Sequence, residues 1–309
     1  MYNDLFSIGP FTVHGYGLMT AIGIISAYFY CERTSKKKGI NPDSILGLVL
    51  FCIIFGYLGS KLLYFITILP QIIEDPSVIL RSITDGWVIY GGILGGIFGG
   101  WLYCKIRKYP TLKYFDMGLP AVALAQGFGR IGCFLAGCCY GKETTSTFSI
   151  VFTNSDFAPN GVQLIPTQLI MSACDFALFI FLVLLDRKSK RDGLVLGAYL
   201  LFYSAGRFII EFFRGDVARG SVGVLSTSQF IAIFMMAAGL IAWIWIGKQK
   251  PVEETAQTAA EAENAAENEE PGNAYESTEE AEESSVAPEA AENAQTGNEE
   301  SAESNDAEE

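Results

Sequence analysis

Residues 115–137 read FDMGLPAVALAQGFGRIGCFLAG, and their interpretation decides the fold. The run is apolar and long enough to cross a bilayer core, which takes about 20 helical residues. It also carries Arg130, set in Gly129-Arg130-Ile131-Gly132. An ionised side chain at that depth is costly, so it faces a protein interior or a wet cavity and marks a functional site by default. Glycine beside the guanidinium leaves room for a ligand, or for a bend. The competing reading is an ion pair tying two helices together, which gains little over an apolar packing contact.

Working outward, comparable apolar runs occupy residues 12–31, 44–66, 88–105, 166–186, 194–213 and 225–247. The expected fold class is therefore all-α, a polytopic membrane protein with seven transmembrane helices. Glycine and a few polar residues dilute the runs at 88–105 and 115–137, where hydropathy alone does not separate a spanning segment from a re-entrant one. The former contains Tyr90-Gly91-Gly92, then Gly95-Gly96 and Gly99-Gly100. Small residues at such density let membrane helices approach closely. Gly91 and Gly92, beside the boundary, are also placed to admit a lipid headgroup.

Loop charge sets the orientation. The connections 33–38, 105–113 and 187–191 and the exit 248–250 are basic, and they alternate with acidic or mixed loops around 74–85 and 143–156. The positive-inside rule places the basic loops in the cytoplasm, the N-terminus outside and the C-terminus in the cytoplasm. The opening, MYNDLFSIGP, lacks the basic region of a cleavable signal peptide. All 21 Lys and Arg lie at or before Lys250, so the net charge of -13 averages two unlike parts. Residues 1–250 form a positively charged membrane domain. Residues 251–309 hold no basic residue and are rich in Glu, Ala, Asn and Ser. Such a segment buries too little apolar surface to offset its ordering entropy, and a disordered acidic cytoplasmic tail is expected. No nucleic-acid partner is expected.

A second charged cluster follows Arg207: Arg207-Phe208-Ile209-Ile210-Glu211-Phe212-Phe213-Arg214-Gly215-Asp216. On a helix, positions 207, 211 and 214 share a face, so Glu211 is expected to orient one or both arginines. Planar, bidentate donors suit a phosphate and stay charged when buried. Lys61 either adds a positive group or snorkels to an interface. The chain has one histidine, His14, which excludes a histidine-rich metal site and limits the general bases available. A structural, hydrogen-bonded role for His14 stands beside a catalytic one. Cys133, Cys138 and Cys139 do not match a zinc spacing, and neither a metal nor an organic cofactor is expected. A structural thiol or an outer-face disulfide is expected at Cys138 or Cys139. There is no Walker loop, nucleophile elbow or H-E-x-x-H, and no repeat relating two halves of the spans as in many transporters.

In order along the chain, these segments resemble the prolipoprotein diacylglyceryl transferases of bacteria. Phe6-Ser7-Ile8-Gly9-Pro10 with His14-x-Tyr16-Gly17-Leu18-Met19 is similar to the family's N-terminal block. Asp85-Gly86 with Gly91-Gly92, and Gly129-Arg130-Ile131-Gly132-x-Phe134 with Gly141, resemble the next two. Pro166-x-Gln168-Leu169, Arg207-x-x-x-Glu211-Phe212-Phe213-Arg214-x-x-Asp216 and Ser228-Gln229 resemble the rest. The resemblance implies transfer of a diacylglyceryl group from phosphatidylglycerol to the lipobox cysteine thiol of a prolipoprotein. The products are a thioether and glycerol 1-phosphate. It implies a multi-pass protein of the bacterial plasma (inner) membrane whose partners are phosphatidylglycerol, prolipoprotein signal peptides and membrane lipids. The reaction centre falls on Tyr90, Arg130, Arg207 and Tyr16. Substrate contacts fall on Arg130, Arg207, Arg214, Glu211, His14, Gly91, Gly92, Gly141 and Gln168.

This sequence departs from the family pattern at several places. Tyr90 replaces a histidine, Cys133 and Ala136 replace asparagines, Cys138 replaces a glutamate, and Ile170-Met171 replace a Tyr-Glu pair. The phosphate-gripping set is intact, and the changes fall on groups that handle protons. Two further readings remain from the sequence: a paralogue with the same lipid cradle and another acceptor, and a phospholipid-binding protein without chemistry.

Overall fold

A computed structural model describes residues 4–8, 11–83, 86–189, 191–216 and 220–249. The acidic stretch 251–309, expected to be disordered, and Asp85 lie outside the described residues. Nine helices and three short hairpins occur among the described residues. The chain begins with a hairpin, β1 (Asp4–Ile8) and β2 (Phe11–His14), and runs into α1 (Gly15–Lys37). Next come α2 (Asp43–Thr67), the short α3 (Leu69–Glu74) and α4 (Val78–Arg81), then α5 (Ile89–Ile106) and α6 (Thr111–Ala136). A loop region with β3 (Ile150–Val151) and β4 (Gln163–Leu164) leads to α7 (Thr167–Lys188) and α8 (Leu194–Glu211). The hairpin β5 (Ser221–Val222) and β6 (Leu225–Ser226) precedes α9 (Thr227–Gly247).

Seven helices, α1, α2 and α5–α9, coincide with the seven apolar runs. Five of them, α2, α6, α7, α8 and α9, are long and apolar enough to cross a membrane. Glycine and tyrosine dilute the hydropathy of α1 and α5, which are not in that set. Apolar side chains point outward along these helices: Leu62, Leu94 and Ile241 are 63%, 66% and 68% exposed. Water penalises an apolar belt of this size, whereas hydrocarbon solvates it. The protein is a multi-pass membrane protein.

Two expectations need correction. Residues 12–14 pair with β1, so the first helix starts at Gly15 and not at residue 12. α5 and α6 are continuous helices of 18 and 26 residues, and α6 is long and apolar enough to cross a membrane. α8 stops at Glu211, so Arg214 is not on it and the three charged residues do not share one helical face.

Close approach explains most of the glycines. A Cβ on Gly59 would lie 2.4 Å from the Gly91 carbonyl oxygen, and one on Gly95 would lie 2.1 Å from that of Phe55. These contacts seat α2 on α5 along one seam, the membrane use of small residues. Gly197 and Gly239 do the same for α8 and α9, and Gly23 brings α1 onto α6. Helix ends are fixed locally. Gly137 takes φ 76° and closes α6, with Cys138 N donating to the Cys133 carbonyl at 3.1 Å. Ser226 and Gln229 form a capping box at the start of α9. Asp116 of α6 accepts from Gly193 N at 2.6 Å and Leu196 N at 2.9 Å, so a carboxylate from a neighbouring helix caps α8.

Candidate active site

The first turns of α1, α5, α7 and α9 and the last turns of α6 and α8 meet at one end of the bundle. Arg207 sits one turn before the end of α8. Its guanidinium pairs with Glu211, four residues on, and donates to Ser228 Oγ of α9 at 2.9 Å. Ser228 Oγ lies 3.4 Å from the Tyr90 hydroxyl at the start of α5. Three helices thus converge on a single arginine whose rotamer is fixed from two sides.

Arg130 is held differently. It lies on α6 and makes no hydrogen bond or ion pair with a described residue; the groups it faces electrostatically are Tyr203, Cys133, Cys139 and Asp175. Asp175 of α7 is 4% exposed, and its Oδ2 has no hydrogen-bond partner among the described residues. A half-buried guanidinium at membrane depth and a buried carboxylate oxygen with unused capacity are expensive, and such groups are kept where a ligand completes them. A Cβ on Gly129, beside Arg130, would meet nothing within 4 Å, so the space expected there exists.

Between α7 and α8 opens a cavity of about 710 Å³. Its walls are mostly apolar, with Phe181, Phe202, Ile209 and Ile210 among them, while Asp175, Tyr203 and Arg207 supply polar groups. An apolar space joined to a cationic corner has the polarity profile of an anionic lipid.

The remaining residues support this centre. Arg214 lies past α8 and is buried, and its guanidinium engages both oxygens of Asp216, at 3.1 and 2.9 Å. Arg214 also forms a β-bridge with Gly141, with Lys142 N donating to Phe213 O at 2.8 Å and Gly215 N to Tyr140 O at 3.1 Å. Gly141 packs so closely that a Cβ would lie 2.4 Å from the Ile165 carbonyl oxygen. Gln168 is 1% exposed, donates from Nε2 to the Cys138 carbonyl at 2.8 Å and keeps Oε1 without a partner among the described residues. Tyr16 lies against Gly132 on α6, two residues from Arg130.

Several expected residues stand elsewhere. His14 pairs with Asp4 at 2.7 Å on the exposed first hairpin. The space beside Gly91 is taken by Gly59 and Leu63 of the α2 seam; Gly92 has looser neighbours, with nothing closer than 3.6 Å. Lys61 donates to the carbonyls of Ser82 at 2.7 Å and Gly86 at 3.1 Å and lies 4.1 Å from the Trp87 ring centroid, which ties down the segment before α5. All seven cysteines are free thiols, so of the two expectations for Cys138 and Cys139 the structure carries the thiol and not the disulfide. Asp175 and the hydroxyl of Tyr203 were not singled out from the sequence, and Ser228 stood there only as part of a family block, without a role. Asp175 carried a legible signal, as a lone carboxylate inside an apolar run.

Membrane helices that gather arginines beside a lipid-sized apolar cavity define an integral membrane protein built to hold an anionic amphiphile. The sequence model of prolipoprotein diacylglyceryl transferase matches residues 3–245, and the chain belongs to that family. It is 48% identical over 236 residues to the phosphatidylglycerol–prolipoprotein diacylglyceryl transferase of Clostridium tetani, covering 76% of this chain and 94% of that one. A Clostridium perfringens protein, phosphatidylglycerol–prolipoprotein diacylglyceryl transferase 2, is 45% identical over 245 residues, or 79% and 95% of the two chains. A third, from Dehalococcoides mccartyi, is 32% identical over 244 residues, or 78% and 92%.

Proposed function

We propose a division of labour within this transferase. The chain moves a diacylglyceryl group from phosphatidylglycerol to the lipobox cysteine of a prolipoprotein, the reaction its relatives are named for. A carbon–sulfur bond forms at the glyceryl carbon, the carbon–oxygen bond to phosphate breaks, glycerol 1-phosphate leaves and the thiol proton is released.

Charge builds on the phosphate oxygens as that bond breaks. Arg130 and Arg207 bind those oxygens and stabilise that charge, and preorganised donors aimed at developing charge account for most of the rate enhancement in many enzymes. The observation that carries this reading is the unpartnered Arg130 guanidinium, which the phosphate completes. Glu211 and Ser228 position Arg207 and leave part of its planar fork for the ligand. Arg214, held by Asp216, and Gly141 fix the loop that closes the outer side. The acyl chains occupy the cavity between α7 and α8. Tyr90 and Tyr16 border the centre; the nucleophile comes from the substrate, and two arginines favour its thiolate form. Gln168 Oε1, which no described residue satisfies, meets the headgroup.

The finer topology belongs to the same reading. α1 and α5 complete a set of seven spans, with the arginine-bearing end facing out of the cytoplasm, because the basic loops all lie at the other end. That is the orientation for an enzyme of the bacterial plasma membrane meeting exported prolipoproteins. Membranes bearing the protein, incubated with phosphatidylglycerol and a lipobox peptide, are expected to give the thioether adduct by mass spectrometry. Absence of the adduct under conditions where a known family member works sinks this assignment.

A further inference from the structure

Cys133, Cys138 and Cys139 lie beside the anion-holding set but take no part in it. Their sulfur atoms all lie within 4.8 Å of one another. The backbone brings this about. Cys133 is in the last turn of α6, and Gly137 turns the chain left-handed after it. Cys138 then folds back so that its Sγ lies 3.7 Å from the Cys133 carbonyl. α7 pins the following loop by its carbonyls: Gln168 Nε2 donates to that of Cys138 at 2.8 Å, and Thr167 Oγ1 to that of Cys139 at 3.0 Å. Cys139 adopts φ 61°, a conformation that turns its side chain back toward the other two. The three sulfurs are thus presented by main chain that is fixed before any ligand arrives.

Spacing distinguishes the possible uses. A disulfide needs two sulfurs about 2.0 Å apart, and all three are free thiols. Three sulfurs around one metal, at bonds of about 2.3 Å, lie about 4 Å from one another. The observed cluster needs only a small contraction to reach that figure. Its electrostatics favour one thiolate, at Cys139, with the Cys133 and Cys138 thiols held protonated beside it. Arg130 faces Cys133 and Cys139, and Arg214 faces Cys139. Hydrogen bonds from Cys133 and Cys138, with the Arg214 guanidinium, draw the Cys139 thiol well below its ordinary range. Two guanidinium groups also offset the negative charge of a tris-thiolate centre. Neither imidazole nor carboxylate joins the cluster among the described residues, and an all-sulfur set selects soft ions over Mg²⁺, Ca²⁺ or Mn²⁺.

We propose that Cys133, Cys138 and Cys139 bind one soft metal ion, Cu(I) or Zn(II), through three thiolate sulfurs. On binding, each S–H gives its proton to solvent, three sulfur–metal bonds form, and no oxidation state changes. Copper needs no further ligand, whereas zinc takes a water in its fourth position. The proposal stands apart from the transferase reading, because binding is measured without lipid or peptide.

The test uses the full chain in detergent, reduced and under argon, with Cys31, Cys52, Cys104 and Cys174 replaced by alanine. Wild type runs alongside, as a check on folding of the replaced chain. Each protein is titrated with Cu(I) against a coloured Cu(I) chelator, and separately with Zn(II) against a coloured zinc chelator. The expected result is one equivalent retained by both proteins for at least one ion, with about two protons released per ion, from Cys133 and Cys138, since Cys139 is ionised beforehand. Adding C138A and C139A to the replaced chain should abolish retention. Retention of copper alone, or of zinc, assigns the ion. Failure of both proteins to hold either ion at one equivalent overturns the proposal, as does binding that survives loss of Cys138 and Cys139.

Discussion

Arg130 and Asp175 face each other across α6 and α7, each with unused bonding capacity. This pairing makes their energetics testable apart from catalysis. Replacing Arg130 by methionine removes the positive charge that faces the buried Asp175 carboxylate without bonding to it, at a cost of about 1–3 kcal/mol. Changing Asp175 to leucine as well is expected to restore most of that loss, read as thermal stability in detergent. Equal stability of the single and double variants would disprove the pairing. Arg130→Lys keeps the charge but loses the planar fork. It is expected to lower kcat/KM for phosphatidylglycerol about 10- to 100-fold, the equivalent of one charged hydrogen bond at about 1.5–3 kcal/mol. Full activity would exclude bidentate phosphate recognition. Arg130, Arg207 and Glu211 were legible because charge stands out in an apolar run. Arg214's partner was not: the geometry of a helix made Glu211 its natural mate, but the helix ends at Glu211 and Asp216 holds it.

Elements show what glycine does at two kinds of position. On α5, Gly95 has the Phe55 carbonyl where a Cβ would sit; on α6, Gly118 has nothing within 4 Å. Gly95→Ala should therefore prise α2 from α5 and cost about 1–3 kcal/mol, the usual penalty of overpacking. Gly118→Ala should be neutral or should stabilise by up to about 1 kcal/mol through helix propensity. Thermal unfolding of the two variants side by side checks the contrast, and equal losses would contradict the seam. The seven helical runs were legible to within a few residues, because length and hydropathy carry them. The hairpins were not, since strands such as Ile150–Val151 have only two residues each and no period to detect. Nor did the sequence reveal that Asp116 caps α8, a contact between residues 77 apart in the chain.

At the scale of the molecule, everything placed in the site precedes Lys250, and the family match ends at residue 245. A chain cut after Lys250 is expected to keep transfer activity within about twofold, since every site interaction described above is made by residues before it; a larger loss in the peptide assay would give the acidic stretch a part in the reaction. Activity was readable from the ordered blocks, but which residues complete one another was not, because helices distant in sequence supply them. The joint between Gly141 and Arg214 shows this best. Its rungs are main-chain hydrogen bonds, so exchanges of side chains along it leave the rungs untouched. Only Gly141 and Gly215 are exempt: a Cβ on Gly215 would lie 2.6 Å from the Gly141 oxygen. Apart from those two glycines and Arg214, whose side chain is committed to Asp216, the joint can drift in composition, and a random mutational scan would see a few intolerant letters in an otherwise permissive stretch.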